Sequence, residues 1–166
     1  MENKDLIWLA GLFDGEGCIR ITKRKPSYCK KALSPTYSAK MAIQMVHEDT
    51  ILRVKQIVGF GSITKYGGKN RKNIIYTWEI STQGVKKLLP LLKPYIFTKL
   101  KEFDLMEKFL IEIDWYRSNR KGLGLGKSTT IPEENLKFRE ELFLEMSKLK
   151  ETFKNRNDNY INSIPL

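Results

Sequence analysis

The stretch Leu9-Ala10-Gly11-Leu12-Phe13-Asp14-Gly15-Glu16-Gly17 packs three features into nine residues. Leu6, Leu9, Ala10 and Phe13 follow the 3.6-residue spacing of an amphipathic helix over residues 5–14, ended by the glycines that follow. Ala10 and Gly11 are small enough to let a second backbone come very close. Asp14 and Glu16 alternate with Gly15 and Gly17, so carboxylates stand at the helix end where little bulk keeps a large polyanion away. The pattern occurs once in 166 residues.

The charge just downstream is the second signal. The chain has a formal net charge of +11, and residues 17–78 hold thirteen Lys/Arg against only Glu48 and Asp49, while the remainder balances. A field confined to one stretch is the footprint expected for a phosphate backbone, whereas surface lysines serving solubility alone would be spread evenly. No basic amphipathic helix in the stretch points to a membrane surface. No apolar run approaches ~20 residues, and Met1-Glu2-Asn3-Lys4-Asp5 is not a signal peptide, so the chain reads as intracellular, in an organelle or a microbial cytoplasm. Cys18 and Cys29 are then expected as free thiols.

Residues 19–25 and 37–46 alternate apolar and polar, the pattern of half-buried strands. Residues 49–58 return to helical spacing and stop at Gly59. Residues 61–66 and 74–81 read as a hairpin about Gly67-Gly68-Lys69-Asn70, and a short helix over 82–89 stops at Pro90. Two longer helices follow. One is striped by Leu100, Phe103, Met106, Phe109, Leu110 and Ile113, the other by Leu136, Leu142, Phe143, Met146, Leu149 and Phe153. Between them, Lys121-Gly122-Leu123-Gly124-Leu125-Gly126-Lys127-Ser128 invites comparison with a phosphate-binding loop. It fails, because the required first glycine is Lys121 and a helix precedes it, so no nucleotide cofactor is expected. One domain over 1–155 with a tail at 156–166 accounts for the length. The class is α+β, in the order α-β-β-α-β-β-α with further C-terminal helices, and both hairpins fall in the basic stretch. One sheet face rests on helices; the other is polar and basic.

The nonapeptide resembles the motif of the LAGLIDADG homing endonucleases, from which it departs conservatively at Phe13, Gly15 and Glu16. The element order and the motif position match that fold over residues 5 to about 116. The resemblance implies a saddle-shaped four-stranded antiparallel sheet that straddles double-stranded DNA. It also implies that the motif's second acid, Glu16, binds a divalent metal with the backbone carbonyl of Gly15. Magnesium suits such a site, since it takes oxygen ligands and needs only one or two carboxylates. Asp14 is expected to hydrogen-bond backbone groups at the helix end. A single motif supplies one acid, too few to cut two strands, so a homodimer is implied, with Ala10, Gly11 and Asp14 at a seam between motif helices and a pseudo-palindromic target. Ala10 and Gly11 can alternatively pack against the chain's own sheet.

The resemblance also brings Lys99 and Lys101 to the active-site water network, where an ammonium stabilises developing negative charge. His47, the only histidine, either positions water or accepts a proton near the motif, or caps the helix beginning at Glu48. Strand parity assigns base readout to Arg20, Thr22 and Arg24, to Ser38, Lys40 and Gln44, to Ser62, Thr64 and Tyr66, and to Ile75, Thr77 and Glu79. Lys30, Lys31, Lys69, Arg71 and Lys72 lie in loops suited to phosphates. The expected activity is metal-dependent hydrolysis of both DNA strands, and the resemblance further implies cleavage across the minor groove, leaving short 3′ overhangs. The rivals are an RNA maturase that assists intron splicing, and a DNA-binding regulator of the same fold that has lost the chemistry.

Overall fold

The computed structural model describes residues 2–26, 34–67, 73–119 and 131–161, with side chains of the last helix described through 151. Its elements are α1 (Asn3–Glu16), β1 (Gly17–Arg24), β2 (Thr36–Met45), α2 (Glu48–Val58), β3 (Ser62–Tyr66), β4 (Ile75–Ser81), α3 (Thr82–Leu92), a 3₁₀ turn (Lys93–Tyr95), α4 (Leu100–Asn119) and α5 (Glu133–Ile161). The four strands form one antiparallel sheet in the order β1-β2-β4-β3.

The strands divide by parity. Ile19 and Ile21, Tyr37, Ala39, Met41 and Ile43, and Tyr76, Trp78 and Ile80 are buried on one face. They meet Leu9, Ala10 and Phe13 of α1, Val85, Leu88, Leu89 and Leu92 of α3, and Phe103, Met106 and Phe109 of α4 in a shared core. The opposite face carries Arg20, Thr22, Ser38, Lys40, Gln44, Thr77 and Glu79. This is the half-buried sheet expected from the alternation, because a period of two sends neighbouring side chains to opposite faces. α5 lies along the edge strand β1. It is anchored to α4 by a buried pair, Arg139 Nε donating to Glu112 Oε2 at 2.7 Å with Asn135 Nδ2 on the other carboxylate oxygen at 3.1 Å. Glu140 ties it to the sheet by accepting from Lys23 Nζ and the Tyr37 hydroxyl. Among the described residues no helix is long and apolar enough to cross a membrane.

Three boundaries differ from the sequence reading. α1 runs through Gly15 and ends at Glu16, so Gly15 is a helical residue and the strand begins at once with Gly17. α3 continues through Pro90, which costs the hydrogen bond to the Lys86 carbonyl, and Pro90 lies on the exposed side of the helix. α5 continues to Ile161, into the stretch expected as a tail.

The corner between α1 and β1 depends on Gly17. Its backbone is ordinary extended chain (φ −73°), so its role is one of space: a Cβ there would overlap the ring and carbonyl of Phe13. Gly15 has nothing within 4 Å of such an atom. Gly17→Ala should therefore lower the free energy of unfolding by about 1–3 kcal/mol, as overpacking does. Gly15→Ala should leave the fold of the protomer intact. Denaturant unfolding of both variants checks this.

Candidate nucleic-acid interface and cleavage site

The end of α1 is tied to the start of α4. The Asp14 carboxylate accepts three successive backbone N–H groups at the entry to α4, those of Phe97 (2.7 Å), Thr98 (3.2 Å) and Lys99 (3.2 Å), and the Thr98 hydroxyl at 2.9 Å. Burial of the carboxyl alone would raise its pKa, but these hydrogen bonds to the charged form outweigh it and hold Asp14 below its ordinary value. Asp14 thus caps a helix start 83 to 85 residues away rather than the end of its own helix. Lys99 makes the reciprocal contact, its Nζ donating to the Asp14 carbonyl. A cation there faces the negative end of the α1 dipole, and a carboxylate faces the positive end of α4.

This double tie fixes where Glu16 stands. Glu16 is the last residue of α1 and is exposed, and among the described residues it has no hydrogen-bond or ion-pair partner. Gly17 pairs with Ile43 at the end of the β1–β2 ladder, so Gln44, the residue after Ile43, stands next to the corner between α1 and β1. Gln44 is exposed on the polar face, and its nearness to the motif was hidden from the sequence, where only its strand parity is legible. His47 caps α2: its Nδ1 accepts from the Thr50 N–H at 3.3 Å and lies 2.9 Å from the Thr50 hydroxyl. Of the two roles open to it, capping is the one in place. Lys101 is exposed on the first turn of α4.

No group of three or more His, Cys, Asp or Glu side chains among the described residues is placed to hold a metal ion. The donors present still fit a hard cation of the magnesium kind, held by one carboxylate, Glu16, and the neighbouring Gly15 carbonyl at a helix C-terminus, and completed by phosphate and water. Beside this corner is a cleft of about 380 Å³ lined by Asp14, Gly17, Cys18, Thr98, Lys99, Glu102 and Lys150. Lys150 comes from α5 and stands 3.3 Å from the Cys18 sulfur. Its presence needs the packing of α5 on the β1 edge and has no local sequence signal.

The motif helix presents two faces. Ala10 is fully buried in the chain's own core, which corrects its assignment to a seam with a second chain. The exposed face consists of Ile7, Gly11 and Gly15, at four-residue intervals, and a Cβ on either glycine would meet nothing within 4 Å. Phe97, 88% exposed beside Asp14, adds a large apolar side chain at the same end.

On the polar sheet face, Arg20 and Lys40 both bind Glu79, Arg20 Nη2 at 2.6 Å from Oε2 and Lys40 Nζ on Oε1. The Thr22 hydroxyl lies 2.8 Å from that of Ser38. Arg24, Ser62, Thr64 and Tyr66 are exposed, and Ile75 and Thr77 are half-buried. Lys30, Lys31, Lys69, Arg71 and Lys72 lie outside the described residues.

Residues 9–110 match the profile of the LAGLIDADG endonuclease family, and the chain belongs to that family. Among curated protein sequences none matches. Solved structures of homing endonucleases share the fold. I-CvuI in complex with its target in the presence of calcium is 17% identical with a TM-score of 0.57, over 85% of this chain and 98% of that one. The archaeal intron-encoded enzyme I-Vdi141I complexed with DNA is 14% identical with a TM-score of 0.68, over 89% and 85%. I-SmaMI bound to an uncleaved DNA target with calcium ions is 20% identical with a TM-score of 0.67, over 86% of this chain but 45% of that one.

The Asp14 tie has a pH signature. Because its pKa is lower folded than unfolded, its stabilisation is complete above the unfolded value near 3.8 and is lost as pH falls through the folded value. Asp14→Ala should lower stability at neutral pH by about 1–2 kcal/mol, the range for loss of a capping side chain. The variant's stability should also fall less steeply than the wild type's below pH 4. Unfolding free energies from pH 6 to pH 2 check both.

Proposed function

We propose that the chain is a site-specific DNA endonuclease with one catalytic domain over 1–155. It works as a homodimer that hydrolyses both strands of a long pseudo-palindromic duplex with a divalent cation. The observation that carries this reading is the position of Glu16. A carboxylate with no partner among the described residues stands at the tip of a helix, between an exposed glycine face suited to close helix packing and a basic sheet suited to DNA. A protein that only bound nucleic acid would gain nothing from an acid aimed at phosphates.

In this reading two α1 helices pack through Ile7, Gly11 and Gly15, bringing two copies of Glu16 together, one for each strand. The match takes in 98% of I-CvuI but 45% of I-SmaMI, an extent that supports reading the protomer as one of two units in such an assembly. A bound cation, expected to be magnesium, supplies charge neutralisation at the phosphate and a more acidic water. Glu16 and the Gly15 carbonyl hold that cation. Gln44, on the polar face next to the α1–β1 corner, orients water through its amide. Lys99, anchored by one N–H on the Asp14 carbonyl, keeps further donors for the charge that develops on the scissile phosphate. Lys101 serves as a phosphate contact, and His47 keeps α2 in register without touching the reaction.

The decisive assay is incubation with a library of duplex sites with and without Mg²⁺. Double-strand cuts are expected only with metal, and Glu16→Gln should reduce them by more than about a hundredfold while leaving binding in place. Tight binding of selected sites with no cut in any of them would instead favour the regulator reading, and preferential binding of structured RNA the maturase. Gly11→Leu should convert the dimer to monomers in sedimentation equilibrium without lowering the helix content. A variant that remained dimeric would place the seam elsewhere.

A further inference from the structure

Glu79 is an acid in the middle of a face otherwise built to attract phosphates, and its setting explains it. It lies on β4 opposite Ala42 of β2, which in turn pairs with Cys18 of β1, while Arg20 pairs with Lys40 one step along on the same face. β1 and β4 are not neighbours. Their side chains must meet across two strand spacings, about 10 Å. Ala42, at 5% exposure, is small enough to be roofed over, and Arg20 Nη2 and Glu79 Oε2 close the gap above it at 2.6 Å. Lys40 holds the other oxygen. All three side chains remain between 23% and 38% exposed, so the cluster is neither sunk in the core nor loose in solvent. Its net charge stays positive, so the acid is shielded from phosphates. Two long side chains with several rotamers each are held in one arrangement before any ligand arrives.

That arrangement sets an N–H donor and a carboxylate acceptor side by side at hydrogen-bond distance. A G·C pair shows the complement in the major groove: guanine N7 and O6 accept, and next to O6 the cytosine N4 donates. We propose, on the basis of the DNA-cleaving reading above, that Arg20 and Glu79, with Lys40 as brace, read one G·C base pair in each half-site as a unit. Arg20 donates to guanine O6 and N7, and Glu79 accepts from cytosine N4. A T·A pair also offers an acceptor beside a donor, thymine O4 and adenine N6. Its methyl group, however, stands where guanine presents N7, leaving the second donor of Arg20 unmet. The reversed C·G pair sets donor against donor. Arg20 is four residues beyond Glu16, ~13 Å along β1 at ~3.3 Å per residue. This puts the base pair roughly three to five steps outward from the cut, at ~3.4 Å per step.

The test is selection from a randomised duplex library by the wild-type protein, Glu79→Gln, Arg20→Ala and the double variant, with thermal unfolding confirming that each is folded. The wild type should enrich G·C about tenfold or more at one position in each half-site. Glu79→Gln should lose most of that enrichment at this position alone, since an amide offers one acceptor oxygen for two cations and one base. Arg20→Ala should lose it at the same position, and the double variant should lose no more than either single change, as a coupled pair requires. If the wild type enriches a site but the two single variants disturb different positions, or Glu79→Gln disturbs none, the paired reader is wrong while the DNA reading stands. If the wild type enriches no sequence at all, both fall together.

Discussion

The structure turns on one exchange of charges between two helix ends. The Asp14 carboxylate receives the N–H groups at the entry to α4, and the Lys99 ammonium returns to the Asp14 carbonyl at the exit of α1. The carboxylate satisfies three N–H groups of the turn leading into α4, the ammonium satisfies a carbonyl that the end of α1 leaves unpaired, and each charge opposes the dipole of the helix it faces. The mechanical result matters as much as the energy. α1 cannot rotate or slide without breaking this clamp, so Glu16, two residues beyond Asp14, is aimed by it. Gly17 closes the corner from the other side, because only a residue without a Cβ fits beside the Phe13 ring.

With the corner fixed, the two acids of the motif divide their work. Asp14 is spent on architecture, and its hydrogen bonds stabilise the charged form. Glu16 has no such partners among the described residues, which is why the proposed cation is assigned to it. The same division recurs along α1. Leu9, Ala10 and Phe13 are buried in the protomer, while Ile7, Gly11 and Gly15 form an exposed face of low relief. Two protomers approaching through that face would set their Glu16 side chains next to each other, and the polar faces of the two sheets would extend outward to either side.

Much of this is legible in the order of the residues. Alternation in residues 37–46 fixes which side of β2 is buried, and the same parity places Arg20, Lys40, Gln44 and Glu79 together on the opposite side. Helical spacing already groups Ala10 with Leu6, Leu9 and Phe13 on the core stripe, and its small size does not override that phase. What the sequence does not display is anything that depends on long-range register. The entry to α4 is capped by a residue more than eighty positions away, which no local pattern can announce. Gln44 comes next to the α1–β1 corner only through the pairing of β1 with β2, whereas His47, expected near the motif, is bound to Thr50. Lys150 reaches the cleft only because α5 packs along the β1 edge.

The central claim is that each protomer contributes one catalytic carboxylate and serves one strand. Mixed dimers test it most directly: wild-type subunits and a differently tagged Glu16→Gln subunit are co-expressed, the hybrid is isolated, and its products on a selected supercoiled site are resolved. The account predicts that the hybrid nicks the plasmid to the open circle and stops there, while the wild-type dimer goes on to the linear form. A hybrid that linearised the plasmid, or a dissociated protomer that cut both strands unaided, would contradict it.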